Sequence, residues 1–459
     1  MLAELTGLCP SSLGQADLYN IGMVHLDCDV ELSGYWPSPW PAESGGPRRQ
    51  KVAALPGLNL AQGESLGSTI RDTGGWAVMT VQRNPGELYL LCGGGLLPGE
   101  FPPHYRQSSS HGWVERIDPE SLETLNRSKD LPSGGWLWCG AIVAHQNGDL
   151  YAVNGRYIFR FDAQCNVIAE RELPFDGPFN GLVIMSDGNL VTRNLGFRED
   201  DSACFLIIDP ENLNIMTDPV LLDTRCMGRF SSNRTENGEF IYTTTEKDII
   251  RLNYMNSKLV VDSWKRSYEV IGEAQSDAWD TTIGDNRIWL MDMGRPPGWM
   301  RPGTAEQRAF GFSLTDETEN FVFANHRSPF AWNPGPPLFD PSRKILVHYD
   351  SFNGGVVGHY CPTGGEAEPI WRIEAHNYLQ MMVFKDTGEL IIEDAELPPH
   401  FGGERMKAEA VVVNIETGEE ISRVASGAAS LGMFSAPGFS RDFYVASLLG
   451  TLARVYVQG

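Results

Sequence analysis

Basic residues are scarce in this 459-residue sequence: 36 Lys and Arg stand against 59 Asp and Glu, which leaves a net charge of -23. A chain this acidic repels phosphate backbones, so we expect no nucleic-acid partner. No apolar run is long enough to cross a bilayer, and the N-terminus lacks the basic start and apolar stretch of a signal peptide. These absences predict a soluble, cytoplasmic protein with no membrane partner, the alternative being the mature form of a secreted protein. The oligomeric state is left open.

Several common motifs are also missing. None of the eight cysteines forms a C-x-x-C pair, which argues against a zinc ribbon or a thioredoxin-like site. Neither a D-x-[DN]-x-[DN]-G calcium loop nor a G-K-[ST] phosphate loop occurs. One G-x-S-x-G match, residues 63–67, lies in a Gly- and Ser-rich segment. A nucleophile elbow needs a strand before it and a helix after it, so we do not interpret Ser65 as a nucleophile.

Turn-forming residues, by contrast, are plentiful, with 49 Gly and 29 Pro. A polar turn, often Asn-Gly, Asp-Gly or Thr-Gly, precedes one polar residue and then an apolar strand, and this hairpin pattern recurs eight times. The repeat length of about 40 to 60 residues is typical of propeller blades. The polar residues that open these eight strands, here called the anchors, are Glu87, Asp149, Asn189, Glu239, Arg287, Lys344, Glu389 and Asp442.

The pattern predicts an all-β fold, a β-propeller of eight four-stranded blades, with seven blades as the alternative. Apolar strands precede and follow each hairpin, which gives strands A to D in every blade. The eighth unit ends after its third strand, and an open ring would expose sheet edges. We therefore expect residues 20–34 to supply the missing strand and residues 35–75 to form a surface loop. Residues 1–75 would then complete a propeller that spans 76–459, as a single domain.

The D-to-A and B-to-C connections of a propeller emerge on one face, around the central channel. The B-to-C loops are long in blades 1, 5 and 7, and long loops on a rigid scaffold tend to carry binding groups. We expect the functional site on this face. The candidate catalytic residues are His376, Asp277, Asp280 and Arg229, and the candidate substrate-binding residues are Trp138, Asn180, Trp279, Trp332, Asn333, Trp299, His104 and His400.

Asp277 and Asp280 are the most suggestive pair, because two carboxylates at a channel mouth can divide acid and base roles or hold Ca²⁺. His376 is the candidate general base, although a structural histidine is an equal alternative. Arg229 and Asn180 would orient a substrate oxygen, and Trp138, Trp279 and Trp332 would form an apolar wall. A hydrated channel without chemistry is the alternative for the residues in the D-to-A connections. A solvated surface loop is the alternative for those in the B-to-C loops, which are His104, Trp299 and His400.

The segment GPFNGLVIMSDGNLVTRNLG, residues 177–196, resembles blades of the gluconolactonase, senescence-marker-protein and strictosidine-synthase-like propellers. In that superfamily an Asn at the start of an inner strand often binds calcium at the channel mouth. The resemblance therefore implies Asn180, with Asp280, as a candidate metal ligand. The docking signature of eight-bladed quinoprotein dehydrogenases is not evident in the sequence, and WD and kelch signatures are absent.

Two functions remain from the sequence. The first is an enzyme that acts on a small molecule at the channel mouth, most plausibly a lactone or ester hydrolase, or a related lyase or isomerase. The second is a non-catalytic scaffold that binds a protein or a ligand on the long-loop face. The mixture of Trp, His, Asp and Arg at the channel mouth favours the enzyme, although the fold alone does not decide between them.

Overall fold

The structure is a computed structural model, and it describes residues 32–93, 111–136, 138–196, 200–268, 279–292, 307–316, 318, 320–326, 335–362, 367–396 and 406–459, with the backbone alone for 320–326. The described chain forms eight sheets, each built on four antiparallel strands. The predicted eight-bladed, all-β propeller is confirmed. Within these ranges no helix has the length and apolar character needed to span a membrane.

Each blade follows the order A, B, C, D from the channel outwards, and each B strand starts at an anchor or within one residue of it. Buried apolar side chains from both faces of each sheet pack against the neighbouring blades. The strands, blade by blade, are Trp76–Gln82, Leu88–Gly93, His111–Ile117 and Thr124–Arg127; Cys139–Ala144, Leu150–Asn154, Tyr157–Phe161 and Val167–Glu172; Phe179–Ile184, Leu190–Asn194, Ala203–Ile208 and Val220–Leu222; Ser231–Thr235, Gly238–Thr244, Asp248–Met255 and Lys258–Ser267; Thr282–Gly284, Arg287–Met291, Gln307–Ser313 and Asn320–His326; Leu338–Asp340, Ile345–Tyr349, Val356–Tyr360 and Glu368–Ile373; Met382–Phe384, Glu389–Ala395, Lys407–Asn414 and Glu420–Ala428; and Ser435–Pro437, Asp442–Ala446 and Thr451–Gln458. A short strand, Leu131–Pro132, also pairs with strand C of blade 1.

An N-terminal strand closes the ring, as predicted, but it is a different segment from the one expected. Ser65–Asp72 pairs antiparallel with Thr451–Gln458 along its whole length and forms strand D of blade 8. The assignment of this role to residues 20–34 is therefore wrong. The Gly- and Ser-rich composition of 61–68 gives a weak local signal for a strand. The strand forms nevertheless, because pairing along eight residues outweighs weak local propensity. Ser65 is the first residue of this strand, so it lies on no nucleophile elbow. The division of the chain at residue 75 stays a prediction.

The segment 35–58 fills the central channel, so the prediction of a surface loop for this part of 35–75 is also wrong. Its ends contact the A-to-B turns of the blades, while its middle forms a short 3₁₀ turn, Glu43–Gly45, deep in the channel. Trp40, Ala53 and Leu58 are buried against the inner strands of blades 7 and 8. We call residues 35–58 the channel plug.

The plug pairs with the inner strands because their channel-facing edges carry backbone groups that need partners. Strands A of blades 1, 2, 4, 5 and 7 each donate a backbone N–H to a plug carbonyl, at 2.7–2.9 Å. The Tyr35 hydroxyl accepts from blade 3, the Lys51 ammonium donates to two carbonyls that precede strand A of blade 6, and Arg441 of blade 8 donates to the Leu58 carbonyl. All eight blades therefore contact the plug.

The anchors mark hydrogen bonds between neighbouring blades. Tyr89, Tyr151 and Tyr444 each stand two residues after an anchor, and each donates its hydroxyl to a carbonyl in the C-to-D turn of the next blade, at 2.9–3.1 Å. The bond from Tyr444 joins blade 8 to blade 1 and so reinforces the closure of the ring. The hairpin repeat that reveals the blades also places the groups that join them.

Two anchors with the same geometry hold an arginine from strand C of their own blade. Arg160 Nε lies 2.6 Å from Asp149, and Arg454 Nε lies 2.6 Å from Asp442. Each arginine also donates to a carbonyl in the C-to-D turn of the next blade, that of Glu211 for Arg160 at 2.6 Å. The carboxylate orients the guanidinium, and the guanidinium links two blades.

Replacement of Asp442 by Ala tests this link. Asp442 is buried, and its loss leaves Arg454 without its carboxylate at the junction of blades 8 and 1. We expect the free energy of unfolding to fall by about 3 kcal/mol in urea titrations, because one half of a largely buried ion pair is removed. The control is Glu420→Ala, which breaks an exposed pair with Arg423 and should cost less than about 1 kcal/mol. Equal losses in the two variants would contradict the role given to the anchor.

Candidate functional site

The middle of the channel plug carries two charged side chains into a buried ion cluster on the channel axis. Arg49 donates to Glu43 within the plug and lies 2.6 Å from the Asp280 carboxylate of blade 5. Arg229 of blade 4 donates its backbone N–H to Asp280 at 2.6 Å, and its Nε lies 3.0 Å from Glu43. These four residues, all less than a tenth exposed, are the axial ion cluster.

Backbone geometry fixes how closely blades 4 and 5 approach at this point. Gly228 precedes Arg229, and a Cβ at Gly228 would lie 1.4 Å from the Trp279 carbonyl oxygen. Only glycine therefore fits. The close approach brings Asp280, at the start of strand A in blade 5, against the backbone of blade 4.

Burial changes the protonation equilibria around the cluster. Burial raises the pKa of Glu43 above its usual range, although the guanidinium groups of Arg229 and Arg49 oppose the shift. Burial also lowers the pKa of Lys51 well below its usual value, with Arg49 contributing in the same direction. The cluster thus lies in a water-poor region where unpaired charge is costly.

Aromatic side chains surround Arg229. Its guanidinium carbon lies 5.7 Å from the Trp138 ring and 5.1 Å from the Phe434 ring, distances at which cation–π attraction operates. Trp138 is partly exposed, and its indole N–H donates to Asn180 at 3.1 Å. The Asn180 amide in turn donates to the Met227 carbonyl at 3.2 Å. Four residues predicted from sequence, Arg229, Asp280, Trp138 and Asn180, therefore meet at the channel axis.

The geometry does not suit Asp280 and Asn180 as calcium ligands. Both Asp280 oxygens are occupied, one by the Arg229 backbone and the other by Arg49, and a dense group of positive charge repels a cation. The Asn180 side-chain oxygen accepts the Trp138 indole. In the described part of the chain no three His, Cys, Asp or Glu side chains group as a metal site. We therefore derive no chemistry through a metal at this pair.

The predicted base does not join the cluster. His376 Nδ1 lies 3.0 Å from the Ser351 carbonyl oxygen, so this nitrogen carries the proton, and its backbone N–H donates to Asp394 at 3.1 Å. None of its bonds within the described ranges reaches Asp280 or Arg229. This side-chain contact involves one ring nitrogen, and the choice between a general base and a structural histidine stays a prediction. Catalysis through His376 together with Asp280 has no geometric support.

Trp279 is partly exposed beside Asp280, and its carbonyl accepts the Thr244 hydroxyl at 2.8 Å. This position agrees with a wall of the channel mouth. The remaining candidates lie outside the described residues; they are Asp277, Trp332, Asn333, Trp299, His104 and His400. The strand bounds nevertheless agree with long B-to-C connections in blades 1, 5 and 7.

Sequence reasoning missed the plug residues Glu43 and Arg49, which lie in a Pro-rich stretch without periodicity. It also missed Arg193 of blade 3, a fully buried arginine whose Nη2 donates to the Gly228 carbonyl. A signal for Arg193 was present: Thr192-Arg193-Asn194 interrupts an apolar strand with three polar residues, and buried polar groups demand partners.

Glu393 of blade 7 is a buried carboxyl near the end of strand B. It accepts hydrogen bonds from the Ser430 backbone N–H at 2.9 Å and from the Ser430 hydroxyl at 2.8 Å, and so joins blades 7 and 8. Burial raises its pKa to about 7. The carboxyl is therefore protonated in the folded protein over a range where an exposed glutamate is ionised.

No protein-family model matches the chain, and no curated protein sequence matches it. Solved structures do match. A europium-containing methanol dehydrogenase aligns with a TM-score of 0.61 and 9% identity, over 97% of this chain and 100% of that one. A quinohemoprotein alcohol dehydrogenase, ADHIIG of Pseudomonas putida HK5, aligns with a TM-score of 0.56 and 10% identity, over 96% and 82%.

At this level of identity the neighbours confirm the propeller fold alone. They are a methanol dehydrogenase and a quinohemoprotein alcohol dehydrogenase, so they give no support to the gluconolactonase-like resemblance of residues 177–196. They also give no support to the predicted hydrolase or lyase chemistry. The lanthanide of the first neighbour is a property of that protein.

The axial ion cluster should hold the plug in the channel. Arg49→Met removes the guanidinium that pairs directly with the Glu43 and Asp280 carboxylates, and we expect it to lower the free energy of unfolding by about 3 to 5 kcal/mol. The adjacent Arg48→Met removes a side chain bonded to Asn233 at 2.8 Å, and should cost about 1 kcal/mol. Similar losses in the free energy of unfolding for Arg49→Met and Arg48→Met, measured by urea titration, would contradict this role. A Glu43→Gln and Arg49→Met double variant should lose less than the sum of the single variants.

A second prediction concerns pH. The folded-state pKa of Glu393, about 7, lies above the ordinary value of 4.5, so the native state holds an extra proton between these values. Stability should therefore fall as pH rises from about 4.5 to about 7, by up to about 3 kcal/mol. Glu393→Gln should flatten the stability profile over this window. Glu420→Gln, at an exposed carboxyl whose pKa is lowered by Arg423, should leave it unchanged. A profile that Glu393→Gln does not alter would exclude the assignment.

Proposed function

We propose that the protein binds a small molecule at the mouth of the propeller channel, with the axial ion cluster as the floor of the site. One observation carries the proposal. Arg229 has a guanidinium nitrogen, Nη2, that is buried without a partner in the described part of the chain, and its guanidinium carbon lies 5.7 Å from the Trp138 ring and 5.1 Å from the Phe434 ring. A buried donor left unpaired is costly, and a ligand that accepts from it would remove the cost.

The arrangement of the channel supports this location. The plug fills the channel from the face of the A-to-B turns, and its deepest residues reach Arg229 and Asp280 at the opposite ends of the inner strands. The loop-bearing face is the side from which a ligand would approach. Partly exposed Trp138 and Trp279 adjoin this point, and aromatic walls with a few placed polar groups are typical of small-molecule sites.

The proposal narrows the sequence-based hypothesis of an enzyme. Asp280 is held by cations and His376 lies apart from it, so acid–base hydrolysis or a lyase reaction through this pair is not included. A scaffold that binds a protein remains the alternative function, and it would depend on the long loops of blades 1, 5 and 7, which lie largely outside the described residues. A cytoplasmic location, and a ligand rather than nucleic acid or membrane as the partner, stay predictions.

A thermal-shift screen of neutral, cationic and anionic small molecules tests the proposal. A ligand of the mouth should raise the Tm, because it binds the folded state alone. Trp138→Ala should weaken the binding of that ligand at least tenfold, since the indole ring lies beside the Arg229 guanidinium. The matched control is Trp371→Phe in the outer strand of blade 6, where the indole donates to the Ile415 carbonyl at 2.7 Å. If Trp138→Ala binds every stabilising compound as the wild type does, the site is elsewhere.

A further inference from the structure

Arg193 is a buried arginine with spare hydrogen-bonding capacity. It has no exposed surface, and it stands in strand B of blade 3, next to the axial ion cluster. Its Nη2 donates to the Gly228 carbonyl, while Nε and Nη1 have no partner within the described ranges. A guanidinium carries five N–H donors in a fixed fork, so most of the donor capacity of Arg193 is unused.

Among the described residues, the charges around Arg193 do not balance. Three guanidinium groups, those of Arg49, Arg193 and Arg229, face two carboxylates, those of Glu43 and Asp280. Lys51 can only add to the positive charge. At least one positive charge is therefore in excess among these buried groups.

The protonation equilibrium of Arg193 reflects this imbalance. Burial lowers its pKa to about 9, the nearby Arg229 charge acts in the same direction, and Asp280 only partly offsets them. An isolated buried charge of this kind is costly, and structural arginines normally have their donors satisfied. A bound anion would supply both the missing charge and the missing acceptors.

We propose that Arg193 and Arg229 bind the carboxylate group of a small organic acid. The inference deepens the proposed function, on which it rests, by naming the ligand class of that site. The two arginines flank Gly228, one through its side-chain bond to the carbonyl and the other as the next residue, and both have buried unpaired nitrogens. Guanidinium forks match the two oxygens of a carboxylate, and its negative charge would offset the excess of positive charge.

The test uses acetate as the probe on the intact protein, at constant ionic strength, with acetamide as the neutral analogue and inorganic phosphate as the competing anion. Acetate should raise the Tm in a concentration-dependent way, and acetamide should not. Arg193→Met should weaken the binding of acetate at least tenfold. The Tm of this variant without acetate should be unchanged or higher, because the substitution removes an uncompensated buried charge.

Two further variants keep the result interpretable. Arg193→Lys retains the positive charge but loses the guanidinium fork, and it should weaken the binding of acetate several-fold. This variant serves as the test if Arg193→Met does not fold. Arg156→Met removes an arginine that pairs with Glu172 at 3.1 Å outside the channel, and should bind acetate as the wild type does. Equal acetate shifts in the wild type and both Arg193 variants would overturn the proposal, as would an equal effect of acetamide.

The outcomes separate this inference from the proposed function. If a neutral or cationic compound binds in a Trp138-dependent way while acetate does not, the small-molecule site stands and its carboxylate specificity is wrong. If phosphate binds through Arg193 and acetate does not, the anion class is wrong. If no compound in the screen and no anion raises the Tm, both proposals fall.

Discussion

The ion cluster between the channel plug and blades 4 and 5 is the constraint on which the centre of this molecule depends. Eight blades arranged in a ring leave an axial channel whose inner strands expose backbone groups. Backbone hydrogen bonds between the inner strands and the plug satisfy many of these groups and fix its register. The pairing of Glu43 and Arg49 with Arg229 and Asp280 adds a second restraint on the depth of the plug, because a shift along the channel would leave buried charges unpaired.

The ring itself is joined by a repeated set of contacts at the opposite face. Each tyrosine that follows an anchor in blades 8, 1 and 2 reaches the C-to-D turn of the next blade, and strand C arginines add a second bond in two of these places. Ser65–Asp72 then pairs with strand C of blade 8 and completes the four strands of that blade. These contacts lie at the face of the A-to-B and C-to-D turns, whereas the proposed ligand site lies at the opposite, loop-bearing face.

Most of the ring could be predicted from sequence, because hairpin turns and alternating strands are local signals. All eight anchors fall at the start of a B strand, from Glu87 to Asp442. The plug could not be predicted, since irregular backbone rich in proline has no periodicity and its partners are distant in sequence. The closing strand was assigned to residues 20–34 because polar and apolar residues alternate more clearly there. Ser65–Asp72 is the segment that pairs with strand C of blade 8, and this long-range pairing has no local signal in the sequence.

The candidate site was predicted only in part, and the reason is electrostatic. Polar residues at the starts of inner strands, such as Asp280 and Arg229, do converge on the axis, as the topology requires. Sequence spacing does not reveal which charges they meet there, and Asp280 meets arginines rather than a metal or a histidine. Two of the charges that change its role, Glu43 and Arg49, come from the plug. The segment that closes the channel therefore also sets the charge at the proposed ligand site. The stability of the protein and the ligand preference of that proposed site should consequently change together when the plug is altered.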